Sequence, residues 1–270
     1  MPTRFNPTRS ALIALALLSG ATPLAAQRTR DQPRLIFSIS PTYTLGADLW
    51  RVARQPILTG AAAPDTFSLS RDVRPALGVS FQGAYYPHNN LGFVGEALLI
   101  GLGYTDGCHL AYSSGDPRIA RGCSSIQGFE KSASAVMLSG GVMYRIDSRK
   151  AISPYVRAQV GMIVSNQSSI RTEGNLALPD SEEVDLIIYP DQHSTRLTPA
   201  LGVGIGFSAA LGPGYQIHWE ARDNLVGIAT VTGPTDRDGV SPPQKTAYKH
   251  LFSISIGFDL VLERRRGRRY

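Results

Sequence analysis

Residues 214–222 read GYQIHWEAR, and their side chains alternate between two chemical types. The alternation sets Tyr215, Ile217, Trp219 and Ala221 against Gln216, His218, Glu220 and Arg222. A strict period of two is typical of a β-strand with one apolar and one polar face. A soluble fold would bury the aromatic face, whereas a barrel in a membrane would turn that face to lipid. Which face lies inside therefore decides the fold.

The same period recurs along the chain. It predicts eight strands, at 34–44, 75–86, 92–104, 134–146, 153–164, 196–208, 214–222 and 250–262. Pro41 weakens the interior of the first strand because proline cannot donate a hydrogen bond to a ladder. The sequence therefore predicts an all-β protein.

The gaps between these strands alternate in length. Three are short turns rich in Asn, Gly, Pro or Asp: PHNNL, DSRKA and LGPG. The other four are long, around 46–73, 105–130, 166–195 and 225–246. Short turns at one rim, long loops at the other and an even number of strands are typical of outer-membrane barrels. We predict an eight-stranded antiparallel up-and-down transmembrane β-barrel with short periplasmic turns and four long outer loops.

The composition of the two strand faces decides their orientation. One face carries Val, Leu, Ile, Phe, Tyr and Trp, and the other carries Ser, Gly, Thr and Gln with few charges. An eight-stranded barrel has an interior about wide enough for side chains to fill. We therefore expect Trp219 to point outward and Glu220 inward. Because buried charges need partners, we expect an interior ion network among Glu96, Arg145, Arg157, Glu220, Arg222 and Asp259.

The two ends of the chain differ from the strand region. Arg4 and Arg9 precede an apolar run, ALIALALLSGATPLAA, with a plausible cleavage point after Ala26. This order is typical of a secretory signal peptide. We divide the chain into a signal peptide at 1–26, a barrel at 27–262 and a basic tail at 263–270. No later segment reaches the length of a membrane-spanning helix.

Charge and cysteine content exclude several function classes. Much of the net charge of +6 lies at the two ends, so we expect no nucleic-acid partner. The only two cysteines, Cys108 and Cys123, predict a disulfide in an exported chain, in the second outer loop and not in a core. Two cysteines are too few for a structural zinc site. We expect no metal and no cofactor.

The sequence resembles the OmpA/OmpX-like small outer-membrane β-barrel family across the whole mature chain. One motif, 255–262, is similar to the assembly signal with which such proteins end, through Ser255, Gly257, Leu260 and Leu262. Leu262 stands where an aromatic residue is usual, and the arginine tail follows where the family stops. The resemblance implies recognition by the barrel-assembly machinery and residence in the outer membrane.

Function follows less directly from these patterns. We expect a monomer in contact with outer-membrane lipid, with a structural, surface-binding or narrow-channel role and a possible extracellular ligand on its long loops. An alternative function of a different class is that of a lipid-modifying acyl hydrolase or transferase that uses His218 and Glu220. No serine is placed by the sequence to complete such a site, so we predict no catalytic residues. A third alternative is a secreted, soluble lipocalin-like barrel.

Overall fold

A closed barrel of eight antiparallel strands forms the body of the protein. The computed structural model describes residues 34–57, 65–101, 103–112, 115, 117–128, 134–148, 150–165, 168–177, 183–191, 196–212, 214–236 and 239–263. The predicted signal peptide lies outside these ranges, as does the basic tail beyond Glu263. In chain order the elements are β1 (Arg34–Thr44), β2 (Ala47–Ile57), β3 (Asp65–Val73), β4 (Ala76–Tyr86), β5 (Leu91–Ile100), β6 (Tyr104–Tyr112), α1 (Pro117–Gly128), β7 (Ala135–Arg145), β8 (Ile152–Ser165), β9 (Thr172–Ala177), β10 (Glu183–Tyr189), β11 (Arg196–Gly212), β12 (Tyr215–Val231) and β13 (Gln244–Glu263).

The barrel strands follow each other around the wall in the order β1, β13, β12, β11, β8, β7, β5, β4, and β4 pairs with β1 again. All eight predicted strands are present, so the predicted barrel is confirmed. The third predicted strand is shorter than expected, because β5 ends at Ile100 and Tyr104 opens the next strand. The last three barrel strands are longer than expected, with 17, 17 and 20 residues.

Folded structure fills much of the long gaps. β2, β3 and β6 form a three-stranded sheet, β9 and β10 form a hairpin, and α1 packs against β6 and β9. We call β2, β3, β6, α1, β9 and β10 the cap. Three of the four predicted long outer loops therefore contain regular secondary structure of their own. In the described part of the chain, no helix has the length and hydropathy needed to cross a membrane.

A single apolar cluster joins the cap to the upper interior of the barrel. On the cap side it includes Phe67 and Leu69, which are almost wholly buried. The inward-facing barrel residues of the cluster lie near the long gaps: Leu98, Ile100, Ala135, Met137, Ile163, Ala200, Val226 and Leu251. The expectation of a polar face along the whole interior is therefore wrong at this end, where the lumen is apolar because the cap packs onto it.

The disulfide belongs to this cluster. Cys108 of β6 is bonded to Cys123 of α1, with a Cα–Cα distance of 5.4 Å. Both cysteines are buried, at 2% and 4% exposure. The predicted disulfide is confirmed, but it holds a helix against a sheet inside a core instead of stapling a loop. By linking α1 to β6 it restricts the unfolded chain and so stabilises the cap.

Arg71 organises the cap around a buried charge. Its Nε and Nη2 donate to the two carboxylate oxygens of Asp106 at 2.5 and 2.6 Å, and Nη2 also donates to the carbonyl of Arg171 at 2.7 Å. The guanidinium lies 5.5 Å from the ring centre of Trp50 and 5.7 Å from that of Tyr104. One side chain thus connects β2, β3 and β6 to the segment that precedes β9.

Substitution of Arg71 tests how the cap is held. We expect Arg71→Ala to destabilise the cap by about 3–5 kcal/mol, because Asp106 would remain buried without its partner. Limited proteolysis should cleave the cap of the variant faster while the barrel stays resistant. Arg121→Ala, at an exposed position of α1, is the control and should cleave like the native protein. Equal protection of the cap in Arg71→Ala and the native protein would contradict this account.

Candidate functional site

The centre of the barrel holds two arginines and two glutamates in direct contact. Arg222 donates to Glu96 through both terminal nitrogens, at 2.7 and 3.0 Å, and through Nε to Glu220 at 2.8 Å. Arg157 Nη2 donates to Glu96 at 2.8 Å, and its Nε lies 2.9 Å from Glu220 Oε1. These four side chains are at most 5% exposed. We call them the quartet; its formal charges cancel, as buried charges require.

β11, which lies between β12 and β8, supplies the space for the quartet. A Cβ atom on Gly204 of β11 would stand 3.0 Å from Glu220 Oε1 and 3.2 Å from Arg157 Cγ. Tyr155 completes the set, since its hydroxyl donates to Glu220 Oε2 at 2.9 Å. The alternating glycines of β11 therefore leave room for long charged side chains.

The other two residues of the expected network lie apart from the quartet. Arg145 donates to the Gln216 amide oxygen at 2.9 Å and to the Ser208 hydroxyl, and it lies 5.5 Å from the ring centre of Tyr86. Among the described residues it makes no ion pair. Asp259 instead contacts His218, with 2.5 Å between Asp259 Oδ1 and His218 Nδ1. The structure thus brings four of the six residues together and places two elsewhere in the lumen.

A serine that the sequence did not reveal completes a second polar group. Ser40 Oγ of β1 lies 3.1 Å from His218 Nε2, so that Ser40, His218 and Asp259 form a connected trio. Its order, hydroxyl to Nε2 and carboxylate to Nδ1, is that of a nucleophile, a base and an orienting acid. No local motif could indicate Ser40, because it is separated from His218 by 178 positions in the chain.

The trio borders a small cavity at the short-turn end of the barrel. This cavity of about 20 Å³ touches His218 and Asp259 but not Ser40, which is 2% exposed. A volume of this size holds about one water molecule. His218 and Glu220 both face the lumen but have different partners: His218 contacts Ser40 and Asp259, and Glu220 contacts the two arginines of the quartet and Tyr155.

The outer wall of the barrel is apolar. Trp219 stacks on Phe207 with 5.8 Å between ring centres, whereas Glu220 is 2% exposed inside. Exposed apolar residues follow every barrel strand, among them Phe37, Phe81, Phe93, Leu138, Val160, Val203, Ile256 and Phe258. The outward positions of β13 from Phe252 to Leu262 cover a height of about 25 Å for a strand tilted by about 40°. The predicted orientation of the two faces is confirmed.

Charged side chains on this wall begin only at its upper end. Asp223 of β12 and His250 of β13 take outward positions and lie 2.7 Å apart, between Oδ2 and Nδ1. Below them, no outward position of the described barrel strands carries a charge. The apolar band therefore has a polar upper edge, beyond which β12 and β13 continue beside the cap.

The residues of the expected assembly signal lie at the end of β13. Ser255 and Gly257 face the lumen, whereas Leu260 and Leu262 are 38% and 47% exposed on the outer wall. These positions fit a strand end, and recognition by an assembly machinery stays a prediction. Among the described residues, no cluster of three or more His, Cys, Asp or Glu could hold a metal ion.

Comparisons with known proteins give likenesses of structure only. No family model and no curated protein matches the chain. The outer membrane protein OprG from Pseudomonas aeruginosa is 11% identical, with a TM-score of 0.48 over 86% of this chain and 97% of that one. Neisserial surface protein A is 10% identical, with a TM-score of 0.42 over 84% and 96%. Ail, the attachment invasion locus protein of Yersinia pestis, is 11% identical, with a TM-score of 0.40 over 86% and 99%. None of these likenesses assigns a role to this chain.

A pair of carboxylates in the cap makes its stability depend on pH. Asp48 and Asp72 are direct partners across β2 and β3. Burial raises the pKa of Asp72 above its ordinary value of 3.8, and the negative charge of Asp48 raises it further, while Arg51 opposes the shift. A raised folded-state pKa favours the folded state when Asp72 is protonated. This contribution is therefore present at low pH and is lost as pH rises from 3.8 through the folded-state pKa.

Removal of the Asp72 charge should flatten this pH dependence. We expect Asp72→Asn to abolish the loss of cap stability over that pH range and to leave the cap more stable at neutral pH. Urea unfolding of the cap, followed by the fluorescence of Trp50, measures the effect. Asp185→Asn, at an exposed position of β10, is the control and should keep the native pH dependence. An unchanged pH dependence in Asp72→Asn would show that the carboxylate pair is not its source.

Proposed function

We propose that this protein is a closed outer-membrane anchor that presents a folded, disulfide-bonded cap at the cell surface, in a structural or surface-binding role. The observation that carries this proposal is an apolar band on the outer wall, without charges on the described barrel strands below Asp223 and His250, around a barrel centre filled by paired polar groups. A surface of this kind is stable against lipid and unstable against water. The predicted signal peptide at 1–26 and the predicted assembly signal at 255–262 fit the same destination.

The filled lumen supports an anchor over a channel. The quartet occupies the centre of the barrel, and the apolar cluster under the cap occupies its upper part. Water-filled channels need a continuous polar path, which an apolar layer interrupts. To open a narrow channel, the quartet and the apolar cluster under the cap would both have to move. We therefore favour the role of an anchor over that of a narrow channel.

The cap supports a surface role. It is a rigid platform, because the disulfide and Arg71 hold its elements together. Its exposed apolar side chains include Leu110 and Tyr112 at the end of β6 and Ile187 of β10, which are 39%, 56% and 39% exposed. Binding residues usually stand on segments that a rigid scaffold positions. An extracellular ligand would contact this side of the molecule.

The two alternatives of different class fit the molecule less well. A lipid acyl hydrolase needs its nucleophile next to lipid, but Ser40 is 2% exposed inside the barrel. A soluble lipocalin-like barrel needs an apolar interior and a polar surface, and the strands show the opposite arrangement. We therefore favour the anchor over both alternatives.

Cell fractionation followed by conductance recording tests the proposal. The full chain should appear in the outer-membrane fraction and migrate faster on a gel when it is not heated. The purified, folded protein should then produce no conductance steps in a planar lipid bilayer, since both plugging layers are intact. Steady open-channel steps would refute the closed anchor and favour the channel. Recovery in the periplasm or medium would refute the membrane role itself.

A further inference from the structure

The barrel closes where its first and last strands meet, and the backbone pairing is incomplete there. β1 pairs with β13 from Arg34 to Ile39 and again from Thr42 to Thr44, but not at Ser40 and Pro41. On its other side β1 pairs with β4 without a break. Pro41 has no N–H to donate, so the interruption on the β13 side has a direct cause.

The Ser40–His218–Asp259 trio lies at this interruption and at its lower edge. Ser40 is one of the two β1 residues without a partner on β13, and Asp259, the partner of Ser38, lies on β13 two positions beyond Gly257. His218 of β12 contacts both, at 3.1 and 2.5 Å, and all three residues are at most 7% exposed. The side chains therefore connect three neighbouring strands at the point where the ladder between two of them is broken.

Gly257 is the residue that makes this arrangement possible. It is the direct partner of His218 on β13, and it faces the lumen opposite Ser40. A Cβ atom at this position would overlap both the Ser40 hydroxyl and the His218 ring. The space left by the absent side chain is thus filled by the contact between Ser40 and His218.

We propose that Ser40, His218 and Asp259 form a clasp that closes the barrel, replacing with side-chain hydrogen bonds the backbone pairing that Pro41 prevents. The contact between imidazole and carboxylate fixes the ring on β12 and β13, and the ring then holds the Ser40 hydroxyl of β1. A hydrogen bond to a charged group is stronger than one between neutral groups, particularly away from water. The clasp joins residues far apart in the chain, so it forms only when the two ends of the barrel meet.

The first test compares two buried serines of the same wall. Ser80 of β4 is the direct partner of Ser40 on the intact side of β1 and is 3% exposed. We expect Ser40→Ala to unfold roughly fivefold faster in detergent and denaturant, because it leaves the His218 Nε2 unpaired. Ser80→Ala should change the unfolding rate by less than about twofold. Equal rates for the two variants would overturn the proposal.

The second test restores the missing backbone donor. Pro41 points outward, so Pro41→Val supplies an N–H to β13 and adds only an apolar side chain to the outer wall. In the Pro41→Val background, the effect of Ser40→Ala on the unfolding rate should shrink to less than about twofold. An undiminished effect would show that the trio does not compensate for the interruption, and would overturn the proposal. Both tests measure the unfolding rate of the barrel, which does not depend on what the cap binds.

Discussion

Closure of the strand sheet into a barrel is the constraint on which the rest of this structure depends. In lipid, no water is present to satisfy an open strand edge, so each barrel strand must pair on both sides. Closure also fixes an inside and an outside, and the period of two then sends alternate side chains to each. The inside becomes the only place for charges in the membrane span. Glu96, Arg157, Glu220 and Arg222 accordingly gather at its centre.

The same barrel interior changes character along its axis. Polar groups fill its centre, and apolar residues such as Leu98 and Met137 fill the part under the cap. These residues belong to one cluster with Phe67 and Cys108, so the cap is packed into the mouth of the barrel. Unlike a set of separate loops, the cap has a core, a disulfide and a buried Arg71–Asp106 pair that hold its elements together. It gives the molecule a fixed outer surface while it seals the lumen.

The sequence predicted the barrel because alternation is a local property. In 214–222 it identified both the strand and the outward direction of Trp219. β3 was missed although its burial alternates perfectly, because Arg71 stands on the inward face among Phe67, Leu69 and Val73 and obscures the apolar pattern. The clasp could not be predicted, because Ser40 meets His218 through strand order and register. Those are long-range properties that no local pattern records, and the separation of Arg145 from the quartet has the same origin.

Stability measurements of the folded protein in lipid vesicles test the central claim most directly, namely that the apolar wall faces lipid. Ile256 of β13 is 61% exposed on that wall, near the middle of the outward apolar run from Phe252 to Leu262. Ile256→Arg should lower the free energy of unfolding by about 2–4 kcal/mol, the cost of a cation near the bilayer midplane, while Ile256→Leu should be nearly neutral. At an exposed position in water both substitutions would have effects within about 0.5 kcal/mol. The same small effect for Ile256→Arg would therefore contradict the account.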